Sequence, residues 1–171
     1  PVALRFVATR GPVAFVDGRY GPQAFDVAEE TGDFVIFKAN GTAAYQLATV
    51  IDDAASGVDL VIRGADLLPS TSRQLLLARA MGLASPAYLH LPLVVGPDGR
   101  RLAKRHGDTS VRALRAAGWT SAGLIGRMAA TAGLCAPTDR VTPRDLLPRY
   151  DPTRGTTMPI VLDASAFSCP Q

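Results

Sequence analysis

The chain has 171 residues, of which 47% are hydrophobic and 19% charged, and its 18 Lys and Arg against 15 Asp and Glu give a net charge of +3. This length suffices for one domain with a real core, with or without a small appendage. No apolar run approaches the ~18 to 20 residues of a membrane span and no signal peptide is visible, so we expect no membrane partner. By default we expect a cytoplasmic monomer. The mildly basic balance is compatible with an anionic partner but does not establish one. Cys135 and Cys169 match neither a metal-ligand spacing nor a disulfide framework.

The first third of the chain predicts strands followed by a helix. The segment ALRFVATRGPVAFVDGRYG alternates apolar and polar residues between turn residues, which favours hairpin strands. Asn40-Gly41 stands between two strand-like runs and indicates a second hairpin. From Tyr45 to Ala55 the apolar spacing becomes helical, and Gly57 supplies a C-terminal stop.

The middle of the chain predicts a strand–helix–strand unit. VDLVIRGAD is an apolar run without alternation, typical of a strand buried on both faces, and it ends at Arg63-Gly64. Residues 71–74 (TSRQ) fit a capping box for the helix RQLLLARAMGL, and LHLPLVV has the pattern of another buried strand. This order predicts a parallel α/β unit. Beyond Asp108 we expect short helices and an extended tail.

Arg63 stands where open parallel sheets bind ligands, at the carboxyl end of a strand. Its guanidinium can hold a substrate carboxylate through two hydrogen bonds; the alternative is an ion pair with Asp66 or Asp52. The Tyr45 hydroxyl can reach the same cleft, although a half-buried core tyrosine is the alternative. His90, in an apolar strand, is expected to be a core or strand-end histidine with its polar atoms satisfied.

A basic segment, GRRLAKRHGD (residues 99–108), follows the second apolar strand. A lysine on a mobile loop can neutralise charge on a transferred phosphoryl or nucleotidyl group. The alternative is a solvated basic turn.

Three segments together resemble a known family: YQLATVIDDAASGVDLVIRGADLLPSTSRQLLLARAMGL, PAYLHLPLVVGPDGRRLAKRHGD and LRAAGW. They are similar to the glutamyl branch of class I aminoacyl-tRNA synthetases over about residues 32–119. The resemblance implies an α/β fold: the second half of a Rossmann-like nucleotide-binding domain (33–108), preceded by the end of a connective region with hairpin strands (1–32). A short helical appendage with an extended tail (109–171) would follow.

The resemblance also implies site residues. RLAKR occupies the place of the family's KMSKS signature loop, so that loop would comprise Arg101, Leu102, Ala103, Lys104 and Arg105. Lys104 would be catalytic and, with Arg101 and Arg105, would bind ATP, with Mg²⁺ accompanying the nucleotide. Arg101 replaces the first signature lysine and Ala103 the signature serine, which changes the donor geometry and removes one hydroxyl.

Glutamate binding is implied for Tyr45, Arg63 and Asp66, and adenine binding for the backbone of residues 91–94. The short continuation after the loop resembles the truncated paralogues that attach glutamate to queuosine in the anticodon of tRNA(Asp). The expected partners are therefore glutamate, ATP and tRNA(Asp) bearing queuosine.

The family's HIGH signature and zinc-binding cysteines are absent from this sequence, which begins at Pro1 within a strand-like pattern. We therefore expect the C-terminal half of a longer enzyme, inactive alone, with any zinc in the other half. A shortened glutamyl-tRNA synthetase is the alternative within the class. A non-catalytic RNA-binding module or a decayed copy is the alternative outside it.

Overall fold

The structure, a computed structural model, describes residues 2–101 and 110–162. The chain divides into two compact units, residues 1–91 and residues 92–171. Within the described ranges, no helix has the length and apolar character needed to cross a membrane.

The first unit contains a mixed four-stranded sheet and a separate strand pair. Its strands are β1 (Leu4–Phe6), β2 (Pro12–Asp17), β3 (Gly21–Asp26), β4 (Phe34–Phe37), β5 (Leu60–Gly64) and β6 (Ala87–Leu91). The sheet order is β3-β2-β6-β5; β2 and β3 form an antiparallel hairpin, while β6 runs parallel to both β2 and β5. β1 pairs with β4 in the antiparallel sense.

Three helices accompany these strands: α1 (Val27–Glu30), α2 (Tyr45–Ala55) and α3 (Leu68–Ala80). The predicted helix from Tyr45 to Ala55 is confirmed, and Gly57 adopts the positive φ of +66° that a helix stop favours. The parallel β5–α3–β6 unit is also confirmed. The buried hydrophobic core combines residues of all three helices and of the strands: Val13, Val27, Phe34, Leu47, Val50, Leu75, Leu77, Ala78 and Tyr88.

The predicted start of α3 is wrong. The helix begins at Leu68 after a 3-10 turn at Ala65–Leu67, so Thr71 lies inside the helix, fully buried, and does not cap it. Pro69 stands in the first turn, where its fixed φ favours helix initiation and its missing N–H costs nothing. This earlier signal prevails over the TSRQ pattern.

The burial predicted for β5 is also wrong. β5 is at the edge of its sheet, and Leu60 and Ile62 are 43% and 52% exposed. An apolar run in the sequence shows that a strand is hydrophobic, but it does not show whether a neighbouring element packs against that strand. By contrast, β6 is an inner strand whose residues Tyr88, Leu89 and His90 are buried.

The hairpin predicted at Asn40-Gly41 forms only in part. Gly41 lies in a turn and has a φ of +80°, but the segments on either side of that turn are joined by only one antiparallel bridge, Phe37 to Ala43. β4 takes β1 as its partner strand instead.

The second unit contains short elements. They are β7 (Val94–Val95), α4 (Val111–Ala116), α5 (Ser121–Thr131), α6 (Pro143–Leu146) and β8 (Ile160–Val161). The run LHLPLVV is thus divided at Pro92 between β6 and β7, because proline cannot donate to a sheet ladder. The prediction of short helices is confirmed; Ser110 and Thr120 cap α4 and α5 with their hydroxyls. β8, near the end of the described chain, pairs in parallel with β7.

Candidate functional site

Arg63 is held at the end of β5 by contacts on several sides. Its Nε donates to His90 Nε2 at 3.0 Å, and its Nη2 donates to Thr71 Oγ1 at 2.8 Å and to the Leu67 carbonyl at 3.4 Å. The guanidinium carbon also lies 5.3 Å from the centroid of the Tyr88 ring, a cation–π distance. These contacts fix the plane of the guanidinium before any ligand arrives.

His90 faces Arg63 across the parallel β5–β6 pair, where the two residues are register partners. The imidazole is fully buried, and its Nδ1 lies 2.6 Å from Asp17 Oδ2. Asp17, at the end of β2, also accepts backbone N–H bonds from Arg19, Tyr20 and His90. Because a guanidinium N–H can only donate, Nε2 must accept from Arg63, and the ring proton therefore lies on Nδ1 towards Asp17.

The electrostatics agree with this assignment. Burial lowers the pKa of His90, against the opposing effect of its hydrogen bond to Asp17, so the ring is neutral. Burial would raise the pKa of Asp17, but hydrogen bonds from His90, Tyr20 and Arg19 outweigh it and lower that pKa. The result is a row of three groups: a carboxylate, a neutral imidazole and a guanidinium.

Tyr45 and Arg63 are brought together by the structure. Burial lowers the pKa of Arg63, while Tyr88, Tyr45 and Asp53 act in the opposite direction, Tyr45 in part through a side-chain hydrogen bond. Tyr45 is the first residue of α2 and is 56% exposed. Its hydroxyl is thus placed beside the guanidinium and also open to a ligand.

Asp66 follows β5 in the 3-10 turn and is exposed. Its charge acts on His90, where it opposes the lowering of the His90 pKa that burial causes. Asp66 therefore belongs to the electrostatic surroundings of the Arg63 site. Asp53, near the end of α2, contributes electrostatically to the same arginine.

The predicted signature loop is described only at its first residue. Arg101 is exposed and forms an antiparallel bridge with Val95 after a turn in which Gly99 donates to the Gly96 carbonyl at 2.9 Å. Leu102, Ala103, Lys104 and Arg105 lie outside the described residues. Their roles stay predictions.

Sequence reasoning missed the contacts of Asp17, His90 and Thr71 with the Arg63 site. The sequence around Asp17, FVDGRY, is typical of a turn, and Asp17 does lie at the end of β2. That pattern gives no indication that its carboxylate binds His90. The burial predicted for His90 is confirmed, yet its contact with Arg63 depends on the β5–β6 register. A histidine opposite an arginine on two predicted parallel strands is the signal that could have identified it.

Comparison with known proteins gives a consistent picture. Residues 1–132 match the family described as class I tRNA synthetases (E and Q), catalytic domain. The chain is 45% identical over 166 residues to a glutamyl-Q tRNA(Asp) synthetase of Symbiobacterium thermophilum, covering 97% of this chain and 51% of that protein. The corresponding protein of Nitratidesulfovibrio vulgaris is 43% identical over 162 residues, covering 95% and 50%.

A solved structure shares the fold. The crystal structure of a glutamate tRNA ligase from Elizabethkingia meningosepticum, in complex with its amino acid, superimposes with a TM-score of 0.81 at 24% identity, over 96% of this chain and 37% of that one. The chain spans about half the length of the curated relatives it matches.

Proposed function

Because the chain belongs to the catalytic-domain family of class I tRNA synthetases (E and Q), we propose that it carries the glutamate-binding part of an ATP-dependent glutamate ligase. The whole enzyme would activate glutamate and transfer it to queuosine in the anticodon of tRNA(Asp). The observation that carries this proposal is the orientation of Arg63 by His90 and Thr71, with Tyr45 beside it.

Arg63 suits a carboxylate ligand. A guanidinium has five N–H donors in a rigid fork, and His90, Thr71 and Leu67 engage those on Nε and Nη2. We propose that the Nη1 group of Arg63 and the hydroxyl of Tyr45 bind one carboxylate of glutamate. Asp66, exposed after the same strand, supplies a negative charge suited to the amino group.

Activation joins the other carboxylate of glutamate to ATP. A carboxylate oxygen forms a bond to the α-phosphorus, the bond from that phosphorus to the bridging oxygen breaks, and pyrophosphate leaves. Lys104, with Arg101 and Arg105, would neutralise the charge on the phosphates, accompanied by Mg²⁺. A hydroxyl of queuosine would then attack the activated carbonyl, lose its proton and release AMP. These roles for the loop rest on the family resemblance.

Charge distribution supports an RNA partner. Residues 92–171 contain eleven Lys and Arg against six Asp and Glu, whereas residues 1–91 contain seven against nine. Cationic side chains bind the RNA backbone by neutralising phosphates and releasing counterions. We propose that the second unit supplies contacts to the tRNA.

Two related activities compete for this assignment. The two relatives named above bear the name of the queuosine-modifying enzyme at 45% and 43% identity, which favours that activity. The glutamate tRNA ligase shares the fold at 24% identity, so a shortened glutamyl-tRNA synthetase is the second candidate.

The test is transfer of labelled glutamate by the product of the complete gene. We expect labelling of tRNA(Asp) that contains queuosine, and none of tRNA(Asp) from a queuosine-deficient strain. Labelling of tRNA(Glu) instead would contradict the proposal and favour the second candidate. In the same assay we expect residues 1–171 alone to be inactive, since the sequence contains no HIGH signature; activity of that chain would overturn this part.

A further inference from the structure

The row Asp17–His90–Arg63 has only one arrangement of protons that satisfies all its contacts. Asp17 Oδ2 lies 2.6 Å from His90 Nδ1, and Arg63 Nε lies 3.0 Å from His90 Nε2. The carboxylate accepts, so Nδ1 must carry the ring proton; the guanidinium donates, so Nε2 must be free of one. A second ring proton would place two N–H groups head to head at the Arg63 contact.

The orientation of Arg63 is therefore set by residues that need not touch the ligand. The side chains of Asp17 and His90 have no exposed surface. Burying a carboxylate and an imidazole costs free energy unless their hydrogen bonds are complete, and here every ring nitrogen has a partner. An apolar pair of similar volume would fill the same space without that cost. The polar pair is thus better explained by what it does to Arg63.

We propose that His90 and Asp17 are a positioning pair, which holds Arg63 in the orientation that selects glutamate. This inference rests on the proposed function, because it assumes that Arg63 binds the substrate. The tautomer selected by Asp17 presents a lone pair to Nε of Arg63, while Thr71 accepts from Nη2 on the adjoining edge. The N–H groups on Nε and Nη2 of Arg63 are thus held by protein acceptors, and the Nη1 group is presented to the ligand.

The groups that face the His90 ring all bear on its protonation. Asp17 of β2 and Asp66 after β5 favour the charged ring, whereas Arg63 of β5 and burial disfavour it. The Tyr88 ring stacks at 6.3 Å with an interplanar angle of 14°, and Thr71 Oγ1 of α3 lies 3.5 Å from Nε2. The balance favours the neutral ring, which is the form that the Arg63 contact requires.

A matched pair of variants tests the contacts of the two His90 ring nitrogens separately. In His90→Asn the amide can still donate to Asp17, but nothing reaches Arg63; in His90→Gln the longer amide presents an oxygen near the former position of Nε2. Using glutamate-dependent ATP–pyrophosphate exchange by the complete gene product, we expect His90→Asn to raise the KM for glutamate about tenfold or more. His90→Gln should raise it less than about threefold, and neither should change the KM for ATP.

The outcomes distinguish the inference from the proposed function. If the wild-type protein shows no glutamate-dependent exchange, the proposed function fails. If it shows exchange but the two variants have equal glutamate KM values, or KM for ATP changes equally, His90 is only structural and the inference is wrong. Should His90→Asn fail to fold, Thr71→Val replaces it, with Thr71→Ser as its control: the valine variant should raise the glutamate KM and the serine variant should restore it.

The pH profile supplies a second readout. Because burial lowers the pKa of His90 below its ordinary value of 6.5, the ring keeps its acceptor at Nε2, and the wild-type glutamate KM should not rise relative to that of His90→Gln between pH 8 and pH 6.5. The ratio of wild-type KM to His90→Gln KM removes effects of ATP and pyrophosphate ionisation, which both proteins share. A ratio that changes between pH 8 and pH 6.5 would contradict the neutral ring and overturn the inference.

Discussion

Arg63 and Arg100 belong to the same charge class but occupy opposite environments. Arg63 is partly buried, donates to His90 and Thr71 and lies over the Tyr88 ring. The Arg100 side chain is 85% exposed and lies 4.0 Å from Asp98, a contact that solvent screens. The comparison teaches that burial and hydrogen bonding make an arginine selective for the shape of a ligand. An exposed cation responds to charge alone.

The two environments suit the two substrates that we propose, glutamate and ATP. A small amino acid with two carboxylates must be distinguished from close analogues, which requires donors fixed in advance. The charge of the ATP polyphosphate is spread over many oxygens. For its binding, neutralisation of that charge matters more than an exact fit to its shape.

Removing the buried cation should have the largest effect. In Arg63→Ala, we expect kcat/KM for glutamate in the exchange assay to fall about 10³-fold, because the ligand carboxylate loses its bidentate partner. Arg63→Lys should recover little of this, since a lysine lacks the planar fork. Arg79→Ala, at the exposed end of α3, is the control and should leave the assay unchanged.

Removing the proposed loop cation should have a smaller effect of a different kind. Lys104→Ala should reduce kcat for exchange about 10²-fold, the loss typical of one transition-state donor, with little change in the KM for glutamate. The chain has one other lysine, the exposed Lys38, and Lys38→Ala is therefore the matched control. Wild-type exchange by Lys104→Ala would contradict the assignment of the signature loop.

Stability should depend on pH through the buried imidazole. Because the folded-state pKa of His90 lies below its ordinary value of 6.5, the unfolded chain binds the proton first as the pH falls. The contribution of His90 to the free energy of unfolding should be at its maximum above pH 6.5. Below that pH it should decrease, by at most about 1.4 kcal/mol per pH unit. Urea unfolding of residues 1–171 at several pH values measures this, and His90→Gln should lose the slope. A second decrease is expected below pH 3.8, where Asp17 becomes protonated in the unfolded chain.

Removing a single hydroxyl should have the smallest effect. Tyr45→Phe keeps the ring that begins α2 but removes its hydrogen bond to Arg63 and, by our proposal, to glutamate. We expect a glutamate KM about fivefold higher, the size of one hydrogen bond, and an unchanged KM for ATP. An unchanged glutamate KM would remove Tyr45 from the proposed site.

The sequence was sufficient to predict the elements whose signals are local. The helix from Tyr45 to Ala55 follows from apolar spacing and a glycine stop, and the β5–α3–β6 order follows from two apolar runs around a helix. The start of α3 failed on a local competition between two helix-start signals, whereas two other failures depended on neighbours distant in sequence. The exposure of Ile62 is set by the position of β5 at the sheet edge, and the partner of β4 is β1 rather than the strand expected after Asn40-Gly41.

The same division applies to the candidate site. Arg63 was identifiable because the end of a parallel strand is a local position that a sequence pattern marks. Asp17, the partner of His90, is 73 residues from it in sequence, and only the placement of β2 beside β6 brings the two together. Thr71 reaches the site because α3 begins three residues before it, which a proline in the first turn determines.

The most direct test of the central claim is amino-acid-dependent ATP–pyrophosphate exchange by the complete gene product, measured without tRNA and with glutamate, glutamine or aspartate. If Arg63 and Tyr45 form a preorganised glutamate site in a queuosine-modifying ligase, exchange should occur without tRNA, with glutamate far ahead of the other two. Exchange that appears only when tRNA(Glu) is added would indicate a shortened glutamyl-tRNA synthetase. No exchange with any amino acid, with or without tRNA, would contradict the account and leave an RNA-binding module or a decayed copy.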